Sequence, residues 1–167
     1  EALAAALDGA RLVAVLTQAQ DPGNAGTIIR AADAAGADAV VLVRGSVDPT
    51  APKVVRSTAG SLFHLPVVTG VALDDAVTAL HNAGLTVLAA DGHGDFDLFE
   101  AESLLEAPSA WLLGNEAHGL PSEALSRADA VVSIPIYGKA ESLNVAAAAT
   151  VCLYASARAQ AQNSGRS

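Results

Sequence analysis

Short apolar runs alternate with amphipathic or alanine-rich stretches along this chain, and that alternation predicts its elements. Residues 12–16 (LVAVL) and 39–43 (AVVLV) are apolar and rich in β-branched side chains, the signature of buried strands. Between them Asp21-Pro22-Gly23 is a turn cluster. Asn24 is placed to cap a helix with Ile28, Ile29, Ala32 and Ala35 on its inner face and Gly36 at its end. Strand, helix, strand implies a right-handed parallel crossover. Further along, the pattern predicts a short helix over 53–57, a strand starting over 65–68 and a helix over 73–82 closed by Gly84. Strands follow at 85–89, at 111–113 with Ala110 joined to it, and at 130–134, with a helix over 121–128 before the last. The expected fold is α/β, a largely parallel sheet flanked by helices.

The stretch 134–149, IPIYGKAESLNVAAAA, departs from this routine. Pro135 ends the strand before it, because proline has no N–H for a sheet ladder. Gly138 permits a turn, and Ser142 stands where a helix N-cap belongs. Position 145 is Val, so the capping box is incomplete. The helix expected over 143–160 is apolar nearly all round until Arg158, and such a helix needs cover on every side. A knotted neighbouring stretch of chain or a second subunit would supply it. The plainer reading is an ordinary strand-turn-helix unit. Against it, Ser142 and Asn144 crowd beside Gly138, Lys139 and Glu141 where the strand ends, the place where open α/β sheets bind ligands.

At 167 residues and about half apolar, the chain has material for one domain with a substantial core. No apolar run is long enough to span a membrane and no signal peptide is visible. The lone Cys152 has no partner for an internal disulfide, which makes the cytoplasm the natural compartment. The net charge of −9 argues against strong non-specific nucleic-acid binding, although Arg30, Arg44, Lys53 and Arg56 cluster in the first third.

Several chemistries drop out on motif grounds. Gly92-His93-Gly94 opens like a dinucleotide fingerprint, but position 97 is Asp and the site comes too late in the chain. There is no phosphate loop and no GxSxG elbow. His64, His81, His93 and His118 lack metal-ligand spacing, so no metal is expected, and they read as surface or turn residues. What remains is three polar loops, each after a buried strand: 24–30, 114–119 (GNEAHG) and 134–144. Arg30 is a lone cation on an otherwise apolar helix, which alone reads equally as a solvent-facing arginine. Glu116 alone reads as an N-cap or loop acceptor.

Taken together, NAGTIIR, LLGNEAHGL and IPIYGKAESLNVAAAA resemble motifs 1, 2 and 3 of the SpoU (TrmH-like) branch of the SPOUT RNA methyltransferases. They occur in order and span nearly the whole chain, with SLNV intact. APKVVRSTAGSLFHLPV echoes a further family stretch, with Ala51 where Asn is more usual. The resemblance implies a SPOUT fold with a C-terminal deep trefoil knot over residues 1–167, of which 1–10 and 160–167 are flanking segments. The polar end from Gln160 is expected to fray. It implies S-adenosylmethionine as cofactor, held around Ala89, Ala90, Asp91 and Gly92, around Leu113, Gly114, Asn115 and Glu116, and around Ile134, Pro135, Ile136, Ser142, Leu143 and Asn144. It implies methyl transfer to a ribose 2′-OH of RNA. Arg30 would stand nearest the acceptor, with Asn24, Glu116, Ser142 and Asn144 in support, and Arg30, Lys53 and Arg56 would meet the RNA. A homodimer through the knot and last helix accounts for the apolar helix.

A non-catalytic dimeric module that binds RNA or the cofactor is the competing function. The intact set of polar residues disfavours it. A Rossmann-like nucleotide enzyme is disfavoured by the missing glycine fingerprint. The family modifies tRNA or rRNA, and the reading leans towards rRNA, with an N-terminal RNA-binding domain expected to be missing from this chain.

Overall fold

The computed structural model describes residues 2–58, 60–61, 64–115 and 119–163, leaving aside the side chains of Ser57 and Asn163. The elements are α1 (Ala2–Leu7), β1 (Leu12–Leu16), α2 (Pro22–Ala34), β2 (Ala39–Val43), α3 (Pro52–Thr58), β3 (Val67–Val71) and α4 (Leu73–Asn82). They continue as β4 (Thr86–Ala90), β5 (Phe96–Asp97), a 3-10 turn (Leu98–Glu100), α5 (Glu102–Glu106), β6 (Ser109–Leu113), α6 (Ser122–Arg127), β7 (Ala130–Ser133) and α7 (Val145–Asn163). The seven strands form one sheet in the order β3-β2-β1-β6-β4-β7-β5, and every strand pair in it is parallel.

The period-two geometry of a strand divides the core into two layers. Leu12, Ala14 and Leu16 of β1 join Val40, Leu42, Leu88, Trp111, Leu113 and Val132 on the face covered by α2, α3, α5 and α7. Val13 and Val15 point the other way and pack with Val41, Val87, Ala89, Ala110 and Leu112 beneath α1, α4 and α6. Both faces of the inner strands are buried, so their sequences run apolar without alternation. Trp111 is fully buried and its Nε1 donates to the buried Ser156 Oγ at 2.8 Å, which ties α7 to β6. Cys152 also lies in this layer, where burial pushes its thiol up to about 12.

The strands expected from the pattern are present, with ends displaced by a residue or two. The exception is β3, which starts after Pro66 and runs along a sheet edge. Three elements had no period to betray them: the two-residue β5, the 3-10 turn and the short α5. The cap of α2 is corrected. Asp21, not Asn24, accepts from Gly23 N (2.8 Å) and Asn24 N (3.1 Å), with Pro22 opening the helix, so Asn24 lies inside the first turn. The cap of α7 is corrected as well. Asn144 Oδ1, not Ser142, accepts from Ala146 N at 2.8 Å.

The flanks also take part in the fold. Leu7 and Ala10 are buried in the core. The expected fraying from Gln160 is corrected over 160–163, because α7 continues and the buried Gln160 amide donates to Arg11 O (2.9 Å) and Ala107 O (3.2 Å).

Order in the sheet matters most at its far side. β7 lies between β4 and β5, and the 91–95 connection joins those two strands across its end. Asp91 N donates to Val132 O at 3.0 Å there. Gly94 sits so close that a Cβ would stand 2.7 Å from Val131 O. Among the described residues no helix is long and apolar enough to cross a membrane.

Candidate functional site

Parallel strands deliver their C-terminal ends to one edge of the sheet, and the loops that leave them build the site. The ends of β4, β6 and β7 surround a cleft of about 380 Å³, within the size range of small-molecule sites. Ala90, Asp91 and Gly92 enter it from β4, Gly114 and Asn115 from β6, and Ile134 and Ile136 from β7. Ser142 and Leu143 enter from the segment that leads into α7. Leu120, Ile134, Ile136, Leu143 and Val145 give the cleft an apolar wall, while Asp91, Asn115, Glu141 and Ser142 give it polar groups.

The floor is made by close backbone approach. Asn115 and Gly119 form an antiparallel bridge, with Asn115 N donating to Gly119 O (3.0 Å) and Gly119 N to Asn115 O (2.8 Å). A Cβ on Gly114 would stand 2.5 Å from the Gly119 carbonyl carbon, so only glycine fits. The bridge draws the 114–120 segment back on itself, so that Gly114, Asn115, Gly119 and Leu120 all reach the cleft.

Not every expected residue lines the cleft. Ala89 and Leu113 are buried within β4 and β6. Pro135 is half-buried between two lining residues. Asn144 is spent on capping α7, which fixes the helix start against the cleft. Glu116 and His118 lie outside the described residues. Five lining residues were not among the expected site residues: Gly119, Leu120, Glu141, Val145 and Ala148. The last two were legible in principle, since they sit three apart on the first turn of an apolar helix and so share a face.

The cations lie apart from the cleft. Arg30 is exposed on α2, and Lys53 and Arg56 are exposed on α3, which packs against α2. Asn24 is half-buried in the first turn of α2. The three described histidines are exposed and each lies beside an aspartate: His64 with Asp33, His81 with Asp129 and His93 with Asp91. Among the described residues no group of His, Cys, Asp and Glu is arranged to hold a metal ion.

A parallel α/β sheet with a cleft at the carboxyl ends of its strands, lined by the segments that follow β4, β6 and β7, defines a cofactor-binding α/β domain. The chain belongs to the SpoU rRNA methylase family, whose family model matches residues 11–154. The 23S rRNA (guanosine(2553)-2′-O)-methyltransferase RlmP of Bacillus subtilis strain 168 is 42% identical over 148 residues, covering 87% of this chain and 57% of that protein. The 23S rRNA (uridine(2479)-2′-O)-methyltransferase of Streptomyces viridochromogenes is 42% identical over 142 residues, covering 82% of this chain and 49% of that protein. Among solved structures, the SpoU methyltransferase AviRb from Streptomyces viridochromogenes in complex with AdoMet superposes with a TM-score of 0.81 at 39% identity, over 90% of this chain and 60% of that one. The chain spans about half the length of the curated relatives it matches.

Proposed function

We propose that this chain is the catalytic part of an S-adenosylmethionine-dependent methyltransferase that modifies a ribose 2′-OH of RNA, rRNA rather than tRNA. The observation that carries the reading is the convergence of three loops, far apart in sequence, on one cleft. The names of the rRNA-modifying relatives support the substrate. The AdoMet-bound neighbour supports the cofactor. When bound, S-adenosylmethionine supplies an electrophilic methyl whose sulfonium charge vanishes on transfer. The apolar wall of Leu120, Ile134, Ile136 and Leu143 disfavours charge and so favours that loss. Backbone of 90–92, 113–116 and 134–136, with Ser142 and Leu143, holds the cofactor, and Asn144 fixes the last of these segments.

In-line displacement asks the protein chiefly for positioning and for a route for the hydroxyl proton. A guanidinium offers donors and no acceptor, so the role of Arg30 is to bind an RNA phosphate and orient the acceptor, not to act as a base. Lys53 and Arg56, exposed on the neighbouring helix, extend the same RNA-facing surface. Asn24, Glu116 and Ser142 support the acceptor site.

The working unit is a homodimer through the 134–144 segment and α7, acting in the cytoplasm. Exposed apolar side chains in these places support the dimer: Tyr137 is 86% exposed and Tyr154 48%, and Phe99 of the 3-10 turn that contacts α7 is 57% exposed. The insertion of β7 between β4 and β5, under the 91–95 connection, supports a trefoil knot.

The test is calorimetric titration with S-adenosylhomocysteine, with sedimentation at the same concentration. Saturable binding by a dimer is expected. A folded dimer that does not bind overturns the enzyme reading in favour of a non-catalytic module. A monomer that binds overturns the dimer.

A further inference from the structure

Among the described residues, Gln18 is the one non-glycine at positive φ, at 55°. Left-handed backbone is unfavourable for a residue with an ordinary side chain, and it persists only where surrounding bonds over-determine it. Those bonds are present. On one side Thr17 N and Oγ1 both donate to Leu113 O, at 2.9 and 2.8 Å. On the other, Ala19 N donates to Ser46 Oγ at 3.1 Å and Ala19 O accepts from Val47 N at 2.7 Å. Segment 17–19 is thus pinned to the end of β6 and to the turn that follows β2, the two neighbours of β1 in the sheet. Between the pins the left-handed turn aims the Gln18 carbonyl at the cleft side, where Asn115 Nδ2 donates to it at 2.9 Å. The Gln18 side chain lies beside Gly45, where a Cβ would stand 3.5 Å from its Cγ.

Two consequences meet here. Asn115 lines the cleft, so the Gln18 carbonyl helps to set a cleft wall. Three residues after Gln18, Asp21 caps α2, the helix that presents Arg30. We propose that Gln18 is a positioning residue: its left-handed backbone, latched by Asn115, holds α2 and its Arg30 in register with the cleft. The role rests on the methyltransferase reading above. It belongs to the backbone at position 18, whose carbonyl is the group that Asn115 holds.

The substitutions that test it differ in their tolerance of left-handed backbone. Gln18→Gly and Gln18→Asn adopt it readily, whereas Gln18→Val, being β-branched, resists it. The assay is methyl transfer to an unmodified 23S rRNA transcript, with kcat and KM for RNA measured beside calorimetric affinity for S-adenosylhomocysteine. The Gly and Asn variants should keep kcat within about twofold of the parent. The Val variant should lose about ten- to a hundredfold in kcat, the scale of a small misplacement, with KM and cofactor affinity within about twofold. Full kcat in the Val variant overturns the proposal. So does a loss in the Gly variant equal to that in the Val variant, because the side chain would then be the active feature. If the Val variant does not fold, Asn115→Asp removes the latch donor at nearly constant shape. It should show the same loss of kcat, and full kcat there also overturns the proposal. A parent protein that does not bind S-adenosylhomocysteine overturns the methyltransferase reading, whereas equal kcat in the parent and the Val variant overturns this role alone.

Discussion

The indole Nε1 of Trp111 donates to Ser156 Oγ at 2.8 Å, with both side chains buried between β6 and α7. The pair joins the central strand that leads to the cleft with the helix whose first turn closes it. Ser156→Ala leaves the indole N–H buried without a partner, which costs about 1–3 kcal/mol. Thermal unfolding should shift down by roughly 2–4 °C for each kcal/mol lost. Trp111→Phe combined with Ser156→Ala should cost less than the sum of the two single changes, since the pair shares one bond. Strict additivity in that cycle would show that the bond carries no coupling.

Arg30 is exposed on α2 and does not line the cleft. Arg30→Ala should therefore abolish methyl transfer while leaving affinity for S-adenosylhomocysteine within about twofold, because its proposed partner is RNA, whose contacts act independently of the pocket. A clear loss of cofactor binding in calorimetry contradicts the assigned role.

Asn144 presents the opposite profile. Its side chain caps α7 through Ala146 N, and the chain on either side of it, Leu143 and Val145, lines the cleft. Asn144→Ala should cost about 1 kcal/mol of stability, the usual worth of an N-cap. It should also weaken cofactor binding by loosening the helix start. Normal methylation by this variant would mean that the SLNV segment has been misread.

Acid should expose a different contact. His64 Nδ1 and Asp33 Oδ2 lie 2.7 Å apart, and the hydrogen bond from His64, helped by Ser61, holds the Asp33 carboxyl below its ordinary value. A lowered folded-state value means that the unfolded chain binds the proton more readily, so stability rises with pH across the gap. The contribution is present above about pH 4, the ordinary carboxylate range, and is lost as pH falls through the lowered value. Asp33→Asn should therefore lower Tm at pH 7, and the difference from the parent should shrink steadily as pH falls below about 4, the ordinary carboxylate range. An equal difference at pH 7 and pH 3 sinks the argument.

Much of the fold was legible because burial on both faces writes itself as unbroken apolar runs. The strands at 12–16 and 39–43 were read to the residue, and so was the helix at 73–82. Of the three polar stretches, those at 114–119 and 134–144 were legible as cleft loops, with Gly114, Asn115, Gly119, Ile134, Ile136, Glu141, Ser142 and Leu143 lining it. The stretch 24–30 lies in α2 away from the cleft, and the contribution of 90–92 came from the family resemblance. The caps misled because Asp21-Pro22 and Asn144 compete with equally good neighbours, and backbone geometry alone chooses between them.

By itself the sequence determined the layered α/β class, the buried core and the family to which the chain belongs. Tertiary structure decided the rest. Strand order is a matter of long-range pairing, so nothing local in 130–133 says that β7 enters between β4 and β5. The two-residue β5 exists only because β7 lies beside it. The left-handed Gln18 and its bond to Asn115 join residues 97 apart in sequence, and no pattern within either segment encodes that meeting.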